Sequence, residues 1–190
     1  MKSNPKVAVI GAGIAGLSCA TSLKAAGIDL TLLDKSRGPA GRMSTRRGDD
    51  WQCDHGAQYF TARDPAFRAE VARWQHAGVA DLWRARIAVL GEAGEHGADF
   101  ALERFVGVPR MTAPARFLAD ALPLTVQTTV TEIRPSPDGW WLVSAEHGLH
   151  PTRFDAVLLA VPAPQAVPLL RSPAPGLANL SARANMRGSW

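Results

Sequence analysis

Three glycines, Gly11, Gly13 and Gly16, stand in "VIGAGIAG" with the spacing Gly-x-Gly-x-x-Gly, and Asp34 lies 18 positions after the last of them. The spacing alone is weak, because small-residue turns are common. Its chemistry depends on the flanks. A strand before the glycines and a helix after them would aim backbone N–H groups, and the positive end of the helix, at a pyrophosphate. Gly11 then permits the tight turn, Gly13 lets the backbone approach the phosphates, and Gly16 lets helix and strand pack closely. An acid ending the next strand accepts hydrogen bonds from a ribose and repels a 2′-phosphate, the part left to Asp34. Further on, "DKSRGPAGRMSTRR" sets Gly41 and Arg42 seven and eight residues after Asp34. A guanidinium fork suits a pyrophosphate.

The flanks have the required patterns. "KVAVI", residues 6–10, is a short β-branched run ending at Gly11, as a buried parallel strand does. From Ile14 the spacing turns helical through Leu17, Ala20, Leu23 and Ala26, and Gly27 stands at the C-cap. "IDLTLLD" then reads as a second buried strand ending on Asp34, which completes a βαβ unit. Residues 35–62 have little periodicity and read as an ordered loop with small elements. A helix is predicted over 65–76, with Asp64 as N-cap, Pro65 at N1, and Phe67, Val71 and Trp74 on one face. "LWRARIAVL" alternates as a strand, "EAGEHGAD" is a turn-rich break, and "ERFVGVP" is another short strand. A helix over 113–122 stops at Pro123. Strands near 124–134, 139–146 and 154–161 follow, with "SPDG" as the turn between the first two. Trp140 and Trp141 are adjacent on that hairpin, so one is expected in the core and the other exposed or covered. After "AVLLAVP" the chain is Pro-rich and shows no obvious terminal element.

Composition narrows the function classes. The chain has 190 residues, 46% of them hydrophobic, and a formal net charge of +4, which describes a globular protein rather than a disordered one. Nucleic-acid binding would want a stripe of basic residues with interleaved aromatics, and the arginines are scattered outside "GRMSTRR" and "RRGDD". Cys19 and Cys53 have no close Cys partner and read as reduced cytosolic thiols, with no metal set among them and the five histidines; His147 and His150 read as surface loop residues. No stretch reaches the roughly eighteen continuous apolar residues of a membrane span. Glycines inside the apolar part of the opening stretch argue against a secretory signal behind Lys2 and Lys6. The expected location is cytoplasmic, with neither nucleic-acid nor membrane partners.

Taken together, "VIGAGIAGLSCA", "DKSRGPAGRMSTRR", "DHGAQYFTARDPAF", "VGVPRMTAPARFLADAL" and "FDAVLLAVPAPQA" resemble the renalase-like branch of flavin amine oxidases, also described as NAD(P)/FAD-dependent oxidoreductases. Ala40 departs from the pattern, which commonly has a second Gly before Gly41. The resemblance implies an α/β protein: a Rossmann-like, doubly wound FAD-binding domain with an interleaved, incomplete α+β substrate domain. Residues 1–62 and 104–161 would form the FAD domain, 63–103 a substrate-domain insertion, and 162–190 the start of a further substrate segment. Ile10, Gly11, Gly13, Ile14, Ala15 and Gly16 would cradle the phosphates, and Asp34 and Lys35 would meet the ribose. Arg42 would hold the pyrophosphate, with Gly41 and Met43 lining that channel. His55, Gly56, Ala57, Gln58 and Tyr59 would pass near the isoalloxazine ring, and the backbone of Val130 would meet the adenine.

No catalytic residue is assigned. His55 suggests a general base, yet a flavin can take a hydride without one, because the cofactor carries the electron chemistry. Asp54 beside it could cap or pair with an Arg in 45–47. The implied reaction is hydride transfer from a small reduced substrate to FAD, with O2 as acceptor and H2O2 as product. The substrate would be an isomeric dihydronicotinamide dinucleotide, with a primary or secondary amine as the alternative. The family's last flavin segment, with its Gly-Asp, has no counterpart here, so the chain is expected to be the amino-terminal part of a longer enzyme. A non-catalytic nucleotide-binding fragment and an NAD-linked dehydrogenase are the competing classes.

Overall fold

The computed structural model describes residues 4–84, 88–89, 96–97 and 102–187. Most of the expected break "EAGEHGAD" and the middle of "LWRARIAVL" lie outside the described residues. In chain order the elements are β1 (Lys6–Ile10), α1 (Ile14–Ala25), β2 (Asp29–Leu33), β3 (Thr45–Arg47), β4 (Gln52–Asp54), α2 (Pro65–His76), β5 (Ala80–Leu82), β6 (Ala88–Val89) and β7 (His96–Gly97). They continue with β8 (Phe105–Gly107), α3 (Ala113–Ala119), β9 (Leu124–Thr125), β10 (Val130–Ser136), β11 (Gly139–Ser144), β12 (Gly148–Leu149), β13 (Ala156–Leu159), α4 (Ala163–Leu170) and α5 (Pro175–Ala182). Two compact units result: residues 1–41 with 118–190, and residues 42–117.

The first unit is Rossmann-like. Its four-stranded sheet has the order β13-β1-β2-β9, and each pairing is parallel. Strand β1 is central and buried on both faces from Val7 to Ile10, which is why its sequence is a continuous apolar run rather than an alternation. In register, Ile10 stands opposite Leu33 on one side and Leu159 on the other. A second sheet, β10-β11-β12, is antiparallel. Ala8, Ile10 and Leu33 of the first sheet share one core with Val130, Ile133, Leu142, Phe154 and Leu169. Burying each large member of that set contributes about 1.5–3 kcal/mol.

The second unit is α+β. Helix α2 starts where the sequence predicts, with the Asp64 carboxylate accepting from Phe67 N–H at 3.0 Å and Pro65 in the first turn. Val71 and Trp74 are its buried residues; the Trp74 ring meets those of Phe60 and Phe67, and Phe60 in turn stacks with Phe105. Glu70 is held below the usual carboxylate range by hydrogen bonds from Arg73. That contribution is therefore present at neutral pH and lost as pH falls through the lowered value.

Three expectations need correction. The strand predicted over 124–134 is two strands in different sheets, because Gln127 takes φ +51° and turns the chain between them. Trp140 and Trp141 are both half-buried, Trp140 against the core, rather than split between inside and outside. The Pro-rich end is helical: α4 and α5 each carry Pro in the first turn, where the missing N–H costs nothing, and Pro168 lies inside α4.

Phe154 is 1% exposed, and its backbone exchanges both hydrogen bonds with Trp140, at 2.7 and 2.9 Å. Phe154→Ala is expected to lower unfolding stability by about 3–5 kcal/mol, read from the midpoint of urea denaturation.

Candidate functional site

The glycine turn is fixed by contacts that tolerate no side chain at two of its three glycines. Gly11 has φ +106°, and a Cβ there would stand 2.6 Å from the Ala160 carbonyl oxygen. A Cβ on Gly16 would lie 1.8 Å from the Gly11 carbonyl oxygen. A Cβ on Gly13 would meet nothing within 4 Å. Gly13 is the N-cap of α1, the cap is closed by no side chain, and the first turn holds no acidic residue. The N–H groups of that first turn have no partner inside the helix. The geometry is a packed turn with an open, electropositive mouth at Gly13.

Asp34 secures this turn. Its side chain is buried, with Oδ2 accepting from Ala12 N–H at 2.6 Å and Oδ1 from Ser36 N–H at 2.7 Å. The Asp34 backbone joins the sheet through Thr125 and accepts from Thr128 N–H at 2.9 Å. Gln127 N–H donates to Ser36 O at 2.9 Å, so the segment leading to Val130 runs beside the end of β2. Val130 itself is a buried core residue. Lys35 is exposed.

The loop after β2 returns to the glycine turn. Ala40 N–H donates to Ala12 O at 3.0 Å, and a Cβ on Gly41 would reach 3.2 Å from Gly13 Cα. Ala40 is buried with φ +114°, a region that L side chains rarely adopt. This is the position where the resemblance leads one to expect glycine, the residue that adopts such a φ without strain. Ile10, Gly11, Gly13, Ile14, Ala15, Gly16, Asp34, Lys35, Gly41 and Val130 all belong to the first unit.

The other expected site residues lie in the second unit. Arg42 is exposed and Met43 half-buried. A Cβ on Gly56 would lie 2.0 Å from Arg42 O, and Ala57 N–H donates to the same carbonyl at 2.9 Å, so residues 42 and 56–57 run side by side. His55 is exposed, its Nε2 3.4 Å from Ser44 Oγ. Gln58 and Tyr59 are exposed. Asp54 accepts from Thr45 Oγ1 at 2.5 Å and from Met111 N–H at 3.2 Å, tying the β3-β4 hairpin to the turn before α3. Carboxylates held below their ordinary range elsewhere include Glu132, through hydrogen bonds from Arg134, and Glu146, through Thr129. Among the described residues no three His, Cys, Asp or Glu side chains are placed to hold a metal ion, and no helix is long and apolar enough to cross a membrane.

A parallel sheet whose first strand runs through a glycine turn into a helix, with a buried acid directly after the second, is the Rossmann-like α/β arrangement. Residues 9–74 match the model of the NAD(P)-binding Rossmann-like domain family. The chain is 47% identical over 58 residues to a hydroxyneurosporene desaturase of Rubrivivax gelatinosus, covering 30% of this chain and 11% of that protein. It is also 47% identical over 55 residues to an L-amino-acid oxidase of Crotalus adamanteus, 28% of this chain and 11% of the relative. A solved putrescine oxidase variant redesigned for cofactor binding superposes with a TM-score of 0.69 at 13% identity, over 87% of this chain and 60% of that one. The chain has the fold of the flavin amine oxidase-like oxidoreductases.

Two substitutions test the turn. Gly16→Ala is expected to destabilise by more than about 3 kcal/mol, since its Cβ must displace backbone, and thermal unfolding would record the loss. Ala40→Gly is expected to raise stability by about 1 kcal/mol by relieving a positive φ, seen as a higher melting temperature.

Proposed function

We propose that this chain is the dinucleotide-holding part of an FAD-dependent oxidase that takes a hydride from a small reduced substrate. The observation that carries the reading is the uncapped start of α1 at Gly13, open to a ligand while Gly11 and Gly16 are closed by backbone. Anionic phosphates suit that mouth because the helix end supplies N–H donors and positive potential together. Asp34 already holds two backbone N–H groups, and each oxygen keeps a further lone pair for ribose hydroxyls. Arg42, following Gly41 directly, would bind pyrophosphate oxygens. Residues 55–59 would border the redox-active ring, and the backbone approaching Val130 would border the adenine. When bound, the flavin supplies a two-electron acceptor; the protein supplies orientation and electrostatics.

The substrate proposed is an isomeric dihydronicotinamide dinucleotide, whose oxidation with O2 as electron acceptor yields H2O2. Likeness to oxidases named for amino acids and putrescine supports an amine as the second reading. The cheapest check is the absorption spectrum of the purified chain, where a stoichiometric band near about 450 nm is expected from bound flavin. Arg42→Ala and Gly13→Ala should each lose that band, Gly13→Ala with little change in melting temperature. An Arg42→Ala protein that stays fully yellow would remove Arg42 from the site, and a colourless parent protein that binds NAD would replace the flavin reading with a dehydrogenase.

A further inference from the structure

In the second unit the chain leaves α2 at Val79, whose N–H donates to Trp74 O at 3.0 Å, and returns as β5 with β8 paired beside it. Between α2 and these strands lies a cleft of about 310 Å³, within the size range of small-ligand sites. Its centre is apolar: Val71 and Ala72 line it from the helix, and Leu82 and Phe105, directly opposite each other in register, line it from the strands. Trp83 N–H donates to Arg104 O at 2.7 Å, which continues that register and sets Arg84 level with Glu103. Arg68 Nη1 lies 2.7 Å from Glu103 Oε2, so the early part of α2 stands over the same end. That end carries the cations Arg68 and Arg84 and the anion Glu103, a net positive charge. The other end is lined by Asp81 and, farther along α2, by Gln75, a net negative charge. The count does not depend on which groups are paired, since pairing moves no charge out of the cleft.

We propose that this cleft binds a small ω-amino acid, with its carboxylate at the Arg68 and Arg84 end, its ammonium at Asp81, and its methylene chain over Val71, Leu82 and Phe105. Asp81 and Arg84 are three residues apart, about 10 Å along an extended chain. Arg68 and Gln75 span about the same length along the helix. A ligand whose two charges sit together cannot serve both ends of such a cleft, and one with a single charge leaves the opposite end unmatched. The methylenes between the charges gain by covering the apolar centre. None of these residues is among those proposed to hold the dinucleotide, so the cleft and the flavin reading stand or fall separately.

Isothermal titration of the full chain separates these cases. 6-Aminohexanoate is expected to bind at least about tenfold more tightly than hexanoate or hexylamine, which keep one charge each, and than norleucine, which carries both charges at one end. Asp81→Asn and Arg84→Gln, both at exposed positions, should each weaken 6-aminohexanoate about tenfold. Asp81→Asn should leave hexanoate as it was, and Arg84→Gln should leave hexylamine as it was. Ala72 is an exposed helix residue on the wall of the cleft, so Ala72→Trp should fill the space and abolish binding, with the melting temperature showing that the variant folds. Should that variant fail to fold, the two charge variants decide. No binding of 6-aminohexanoate, equal affinity for the four compounds, charge variants that bind as the parent does, or undiminished binding by folded Ala72→Trp would each overturn the proposal.

Discussion

The carboxylate of Asp34 is the tie on which the first unit's architecture turns. One oxygen holds the glycine turn through Ala12 and the other holds the departing loop through Ser36. Hydrogen bonds to a charged group contribute about 1.5–3 kcal/mol each, and more is lost when a buried partner is left unsatisfied. The same residue directly follows β2, so the sheet, the turn and the return loop all meet at a single residue. A residue chosen by its spacing as a ribose acceptor is thus also a structural strut, and removing it would cost the turn as well as any ligand contact.

Around that tie, glycine appears where the backbone has no alternative. Gly11 and Gly16 are enclosed by the Ala160 carbonyl and by each other, so these two positions encode close packing rather than ligand contact. Gly13 is different, because space is open there and the absence of a side chain serves approach from outside. Ala40 shows the opposite arrangement: a side chain held at φ +114° by its bond to Ala12 O and by burial. Its neighbours over-determine the conformation, as positive-φ residues require to persist.

The βαβ unit was legible because its signals are local: a β-branched run, helical spacing from Ile14, and an acid at a fixed offset. Helix α2 was equally plain, since Asp64 and Pro65 mark its start and three apolar residues mark its face. Legibility failed where geometry is tertiary. Nothing local in "LTVQTTVTEI" says that Gln127 turns the chain out of one sheet and into another. The Pro-rich segment after residue 161 shows no obvious terminal element in its sequence, yet two of its prolines sit in first turns where helices accept them. Within the site, the residues of the glycine turn were found by type and spacing, while the Ala12–Asp34 bond and the φ of Ala40 depend on positions that no short motif encodes.

The topology of the first unit also has a temporal side. Strands β1 and β2 are neighbours in sequence, but β9 joins β2 only after the chain has passed through residues 42–117, and β13 reaches β1 later still; the Lys6–Asp155 bond closes a separation of 149 residues. Loop-closure entropy must be spent before such pairings contribute, which makes folding slow for the chain's size. During synthesis the apolar edges of β1 and β2 therefore stand without their partners while a whole second unit is made. Unpaired strand edges and exposed apolar surface in that interval are the features that favour aggregation.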